Sequence, residues 1–440
     1  MKLPHYLLTL TCALAITARA ETVKDREAAV RNDKAAMEKD ARWIYNDPAR
    51  GFAEAKRTGK PLLVVLRCVP CLACAGIDAQ VLLQETALSP LLDQFVCVRV
   101  INANALDLAL FQFDYDLSFS TLFFNGDGTV YGRYGSWTHQ KNAQENSTAS
   151  FRLTLNAVLA LHRDYPANKP ALAGKQGGPM PFKIPIEMPT LVGKYERELN
   201  WDGKVVQSCV HCHQIGDAIR QSYREKKQPI PSEWIYPFPS PETLGLTLAP
   251  DQIALIETVA PDSIAAQAGL RPGDDLISLA GQPLISIADV SWALHRTPGG
   301  PLSATIRRSG KSESLTLTLP PGWRAKSDIS RRVGTWPMRA MAFGGLVLED
   351  LPEAERTSRG LGAKEIALFV KHVGQYGVHA AAKNAGFQKD DIIVALDGLT
   401  QRLGEGELLG HLLQKHQPGE KIEATVLRST QRVALTLPMQ

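Results

Sequence analysis

The chain has 440 residues, 44% apolar and 21% charged, enough for two to four globular domains and too apolar for a mostly disordered chain. Gly (34) and Pro (28) occur without a period, which excludes collagen-like and solenoid architectures. A formal net charge of +4 spread along the chain, with 7% aromatic residues, offers neither a basic face nor a stacking platform, so no nucleic-acid partner is expected.

Met1-Lys2 is a short basic start, Leu7 to Ala18 is an apolar run, and Ala18-Arg19-Ala20 before Glu21 is a small-x-small cleavage site. Residues 1–20 therefore read as a secretory signal peptide, too short to span a bilayer. Thr11 is a poor residue to precede a lipidated Cys12. No later stretch reaches transmembrane length, so the mature protein is expected to be exported and soluble, in the periplasm.

Residues 21–59 are charged, Ala-rich and helix-like. Leu62 to Leu66 reads as a buried strand, Ile77 to Leu83 as helix, Phe95 to Ile101 as strand and Thr121 to Phe124 as strand. Asn125-Gly126-Asp127-Gly128 is a hairpin turn returning through Thr129 to Tyr134, and residues 149–163 are an amphipathic helix. This order predicts a small α/β domain over 35–165. Residues 166–190, rich in Pro and Gly, read as an extended linker. Residues 191–240 form a polar segment around Cys209-Val210-His211-Cys212-His213. Two similar modules follow, over 242–320 and 343–440. Both carry an Ala-Gly-apolar pattern before a pair of aspartates: Ala268-Gly269-Leu270 before Asp274-Asp275, and Ala385-Gly386-Phe387 before Asp390-Asp391. The expected fold class is multidomain, α/β plus α+β.

Seven cysteines are present, and Cys12 would leave with the leader. Cys97 stands alone in an apolar run and reads as a small buried hydrophobe. The others cluster at x-x spacing, as Cys68, Cys71 and Cys74 and as Cys209 and Cys212, which means redox, metal or haem chemistry rather than a distributed disulfide scaffold. At the first cluster a buried strand delivers thiols to a helix start, where free amides stabilise thiolates. Two such thiols can close a reversible disulfide. Three could also bind Cu(I) or Zn, or form a structural disulfide.

Cys209-x-x-Cys212-His213 matches the attachment signature of haem c, with Cys209 and Cys212 bonded to the vinyl groups and His213 as proximal iron ligand. Zinc is the alternative cofactor, with His211 as a further donor, and a disulfide or inert thiols are the other readings. No Met or further His lies between His213 and the first module. A bound haem would be five-coordinate or would take a ligand from elsewhere.

From the Lys60-Pro61 strand through the Cys-x-x-Cys to the Asn-Gly-Asp-Gly hairpin, residues 35–165 resemble a thioredoxin-like domain. The resemblance implies Cys71 as nucleophile, Cys74 as resolving thiol and Cys68 as an accessory thiol. Two departures from the family pattern stand out: Ser120 occupies the place of a cis-proline, and no acid lies in Leu62 to Leu66. A polar residue at that proline position goes with metal-binding or peroxidatic variants.

The first duplicated module resembles a PDZ domain of HtrA-type proteases, and the second does so more loosely, with an insertion at about 349–364. The resemblance implies capture of protein or peptide C-termini by strand addition at Leu244-Gly245-Leu246 and at Gly344-Gly345-Leu346. His295 falls in the groove helix and is expected at the surface. No protease nucleophile loop is present. The whole order resembles a family of bacterial thioredoxin–PDZ fusion proteins, some of them selenoproteins.

The implied function is an exported thiol–disulfide oxidoreductase whose PDZ domains recruit clients, with a redox partner protein and a haem available for electron transfer. The alternatives are a PDZ scaffold with structural or metal-bound cysteines and a periplasmic metal chaperone.

Overall fold

The computed structural model describes residues 26–69, 88–135 and 147–440. The expected leader, the helix at 77–83, Cys71 and Cys74 lie outside the described residues.

The first sheet is built from β1 (Trp43–Tyr45), β2 (Leu62–Arg67), β3 (Val96–Val100), β4 (Phe119–Phe124) and β5 (Val130–Tyr134), in the order β1-β3-β2-β4-β5. β1 and β2 run parallel to β3, β4 is antiparallel to β2, and β5 is antiparallel to β4. β2 is an unbroken apolar run because both faces of the sheet are covered. Leu62, Val64 and Leu66 enter one core, and Leu63 and Val65 the other. Helix α1 (Pro48–Thr58) starts where the Asp47 carboxylate accepts the Arg50 N–H at 2.9 Å, and it stops at Gly59 in the left-handed region. Helix α2 (Ser147–Arg163) packs Phe151, Leu155 and Val158 on one face of the sheet.

The opposite face is covered by α1 and by α3 (Cys212–Glu225), which contributes Ile215, Ala218 and Ile219. The segment carrying the second cysteine motif is therefore part of the core of the first domain rather than a unit of its own. Residues 166–190 are also packed. They form short helical turns, Lys169–Leu172, Ala173–Lys175 and Pro185–Glu187, and Met188 beyond them enters the core. Proline starts such turns readily, and the sheet face supplies the apolar surface that composition alone cannot reveal.

The first duplicated module contains β6 (Leu246–Leu248), β7 (Ile256–Val259), β8 (Asp275–Leu279), β9 (Gln282–Pro283), α4 (Ile287–Arg296), β10 (Gly300–Arg308) and β11 (Lys311–Leu319). The second is led by α5 (Thr335–Phe343) and contains β12 (Leu346–Asp350), β13 (Leu368–Val373), β14 (Ile392–Leu396), α6 (Glu405–Lys415), β15 (Lys421–Arg428) and β16 (Gln431–Pro438). The duplication extends to an ion pair on a buried aspartate. Asp274 accepts the Arg271 N–H at 2.8 Å and pairs with Arg308 at 2.6 Å. Asp391 accepts the Gln388 N–H at 2.9 Å and pairs with Arg428 at 2.8 Å.

The first module docks on β5. Asp289 accepts the Arg133 N–H at 2.9 Å and pairs with Lys175 at 2.5 Å, with both side chains 1% exposed. Gly132 makes the approach possible, since a Cβ there would lie 2.5 Å from both the Asp289 carboxylate and Ile285. No helix among the described residues is long and apolar enough to cross a membrane.

Candidate functional site

β2 ends by delivering Cys68, whose N–H donates to Ser118 O at 2.9 Å. Its Sγ lies 3.2 Å from Nδ1 of His211, 143 residues away in sequence. His211 is the N-cap of α3, and its own N–H donates to Gln214 Oε1 at 2.7 Å. Cys68, His211, Cys209 and Cys212 line one small cavity of about 20 Å³, walled by Val30, Ile101, Leu199 and Val205.

Two polar residues place this loop. Asn104 is fully buried and accepts the Val210 N–H at 2.7 Å, while its Nδ2 donates to Glu196 O and Ser208 O at 2.7 and 2.8 Å. The Glu27 carboxylate accepts the N–H groups of Val205 and Val206, both at 3.1 Å. Sequence reasoning missed both, because each acts on a segment about a hundred or more residues away and neither belongs to a motif.

Burial pushes the Cys209 thiol up to about 12 and drives Cys212 up as well, the latter aided by the neighbouring Cys68 and Cys209 sulfurs. Burial lowers His211, helped by His213 and Arg26. Cys97 is buried away from both motifs and is also pushed up to about 12, as a small hydrophobe would be.

His213 does not face the cavity. Its Nδ1 lies 3.3 Å from Asp217 Oδ2, and the ring is partly exposed. A site for a haem-sized ligand needs at least about 300 Å³, whereas Cys209 and Cys212 face a space of about 20 Å³. As packed, Cys209, Cys212 and His213 do not fit a haem. Zinc is matched in donor type by Cys68, Cys209, Cys212 and His211. Their spacing differs from a formed site: among the described residues, the one group of three donors mutually within 4.8 Å is Asp397, His411 and His416. That group lies in the second module and is knit by its own hydrogen bonds, His411 and His416 Nε2 to Asp397 Oδ2 at 2.6 and 2.8 Å and His416 Nδ1 to Glu420 at 2.7 Å.

The two peptide loops differ. In the first, Ala260 N–H donates to Gly245 O at 2.8 Å and Leu246 stands opposite Val259. Leu246 is thus a non-hydrogen-bonded pair member, and its N–H and C=O face the open edge of β6. Helix α4 begins with Ile287. Ile287, Ala288 and Ser291 share a cavity of about 190 Å³ with Pro241 and with Ser120 and Gly135 of the first domain. His295 is half-buried, stacked on Phe238 with ring centroids 4.4 Å apart.

In the second, Gly344 and Gly345 close the end of α5, donating to Ala340 O and Arg339 O at 3.2 and 3.0 Å. The Leu348 N–H, turned toward the groove, donates to Glu405 Oε1 at 2.9 Å, and Arg339 holds that carboxylate at 2.6 Å. Ser327 to Ser330 runs beside it with Ile329 buried in the module's core. Leu346 follows as the buried start of β12. The amide donors that a peptide would use here are largely satisfied by the chain itself.

The thioredoxin-like family matches residues 43–126, and the PDZ family matches residues 255–308. The chain carries a thioredoxin-like domain and a PDZ domain. It is similar to the probable protease eep of Enterococcus faecalis, 26% identical over 163 residues, covering 35% of this chain and 38% of that protein. It is also similar to the regulator of sigma-E protease RseP of Salmonella typhimurium, 32% identical over 123 residues, 27% of this chain and 25% of that one. The periplasmic pH-dependent serine endoprotease DegQ of Escherichia coli is 28% identical over 145 residues, 33% of this chain and 28% of that one. The chain thus spans well under half the length of these relatives. Among solved structures, the HtrA-type protease AlgW with tripeptide matches at 24% identity and a TM-score of 0.20, covering 30% of this chain and 41% of that one.

Proposed function

We propose that the protein is an exported thiol–disulfide oxidoreductase whose first PDZ domain presents client C-termini to the thioredoxin-like domain. The observation that carries this reading is the cavity of about 190 Å³ that joins the first turn of α4 to Ser120 of β4. Ser120 lies two residues from Ser118, whose carbonyl holds the Cys68 N–H. A peptide added to β6 would emerge beside the thiol-bearing end of β2, which raises the effective concentration of a client disulfide there.

In this reading the Cys71 thiolate attacks a client disulfide and forms a mixed disulfide, releasing one client thiolate. Cys74 then displaces the client's second sulfur, leaving a Cys71–Cys74 disulfide and a reduced client; two electrons pass from dithiol to client. Export rests on the leader sequence. A redox partner protein would restore the dithiol.

The test uses two disulfide-containing peptides, one with a free C-terminal carboxylate and one amidated. Reduced protein should reduce the carboxylate peptide faster, and Cys71→Ser should abolish both reactions while leaving peptide binding intact. Peptide binding by the wild-type protein without any exchange would overturn the oxidoreductase reading in favour of a binding scaffold, and exchange undiminished in Cys71→Ser would remove Cys71 as the nucleophile.

A further inference from the structure

We infer that Cys209 and Cys212 form a second, shielded dithiol that exchanges with Cys68 inside their common cavity, with His211 carrying the proton. The inference rests on the thiol-exchange reading above and adds an internal partner to it.

Three observations support it. Both thiols are half-buried in the loop that Asn104 and Glu27 hold down, and the cavity of about 20 Å³ that they line admits no client. Among the described residues, the thiol that shares this space with them is Cys68. Finally, Cys68 sits 3.2 Å from the His211 imidazole, the pairing that activates a thiol nucleophile. A cysteine serving only as a core hydrophobe needs no such neighbour, and Cys97, which donates weakly to Leu92 O at 3.7 Å, has none of this surrounding. Cys212 opens α3 and Cys209 precedes it in extended backbone, so the two thiols lie at the N-terminal end of that helix.

His211 Nδ1 takes the proton of Cys68. The resulting thiolate attacks the Cys209 sulfur of a Cys209–Cys212 disulfide, forming Cys68–Cys209 and breaking Cys209–Cys212. The electron pair leaves on Cys212, which recovers the proton from His211. One disulfide is exchanged for another with no external oxidant. In reverse, the same step stores an oxidising equivalent in the shielded pair.

The experiment uses the full chain, reduced and then oxidised with glutathione disulfide, with peptide mapping of disulfides. In Cys212→Ser the mixed disulfide cannot resolve, and a cross-linked peptide pair joining Cys68 to Cys209 should accumulate. His211→Gln in that background should slow its formation at least about tenfold near pH 7, as loss of a general base does. A second measurement needs no trapping: oxidation of Cys209 and Cys212 should be at least about tenfold slower in Cys68→Ala than in wild type, because the pair would lose the attacking sulfur that His211 activates. Oxidation at the same rate without Cys68 would overturn the inference, as would stoichiometric zinc or covalent haem on Cys209 and Cys212. Client reduction that persists while the cross-link fails removes only the internal dithiol. A cross-link that forms in a protein unable to reduce clients removes only the client reading.

Discussion

The two PDZ-like modules share a buried aspartate paired with an arginine, though the strands of the first are split between two sheets and those of the second form one, and their grooves are in opposite states. In the first, α4 begins with Ile287, which cannot accept a backbone N–H, and the cavity beside it opens toward the thioredoxin-like domain. In the second, the corresponding first helical residue is Glu405, whose carboxylate is bonded to the Leu348 N–H and to Arg339. A carboxylate held this way occupies a strand amide that an added peptide would otherwise use. In a duplicated fold, a single side chain at the helix start can leave one groove open and fill the other from within the chain.

The comparison breaks hardest at the docking of the first module. Asp289→Ala strands Lys175 as a buried unpaired charge, so a loss of about 3–5 kcal/mol is expected, read as a fall in the urea midpoint. Gly132→Ala should act in the same direction, since its Cβ would meet Asp289 and Ile285 at 2.5 Å. An unchanged midpoint in both would show that the module is not seated on β5.

Next comes the strap over the second module. Ile329→Ala removes a fully packed anchor and should cost about 2–4 kcal/mol, again by urea denaturation. A negligible change would mean that Ser327 to Ser330 is not part of the core.

Calorimetric titration with a C-terminal peptide sharpens the contrast further. One peptide should bind per chain, and Ile287→Glu, which copies the second module's residue into the first, should weaken binding about tenfold, or roughly 1.4 kcal/mol. A stoichiometry of two would contradict the difference between the grooves.

The smallest effect concerns the turn after β14, where Asp397 replaces the Ala280 of the first module. Burial alone would lower His416, but its hydrogen bonds to Asp397 and Glu420 outweigh this and raise it. Both ring nitrogens face carboxylates, so the paired form is the imidazolium. Its contribution is fully present below the unfolded histidine value and fades as pH rises through the folded one. For Asp397, burial would raise the carboxyl, but the two histidines hold it low. Hydrogen bonding to His416, then the Gln417 N–H, lowers Glu420. Their contribution is present above the ordinary carboxylate value and fades as pH falls. The cluster is therefore strongest between about pH 5 and 6. The difference in Tm between wild type and His416→Gln should peak there and shrink toward pH 9; a flat difference would show that the charge plays no part.

Much of the fold was legible in advance. β2 announced itself as an unbroken apolar run, the Asn125 to Gly128 turn joined β4 to β5, and the paired Ala-Gly-apolar patterns revealed the duplication. The candidate site was only half legible. Cys68, Cys209 and Cys212 stood out by spacing, but spacing alone pointed to His213, whereas the imidazole beside the sulfur belongs to His211. The proline-rich stretch over 166–190 looked like a spacer because composition does not show what surface lies beside it, and here Lys175 meets Asp289.

What the sequence determined by itself were the local units: strands and helices whose periodicity reflects which side of each segment is buried, turns set by Gly and Asn, and thiols grouped at x-x spacing. Tertiary packing decided the rest. It chose which thiols share a cavity, which groove stays available and which histidine touches sulfur. Each of these depends on contacts between segments more than a hundred residues apart or on which of two similar surfaces is covered, and neither is written in the pattern of any one segment.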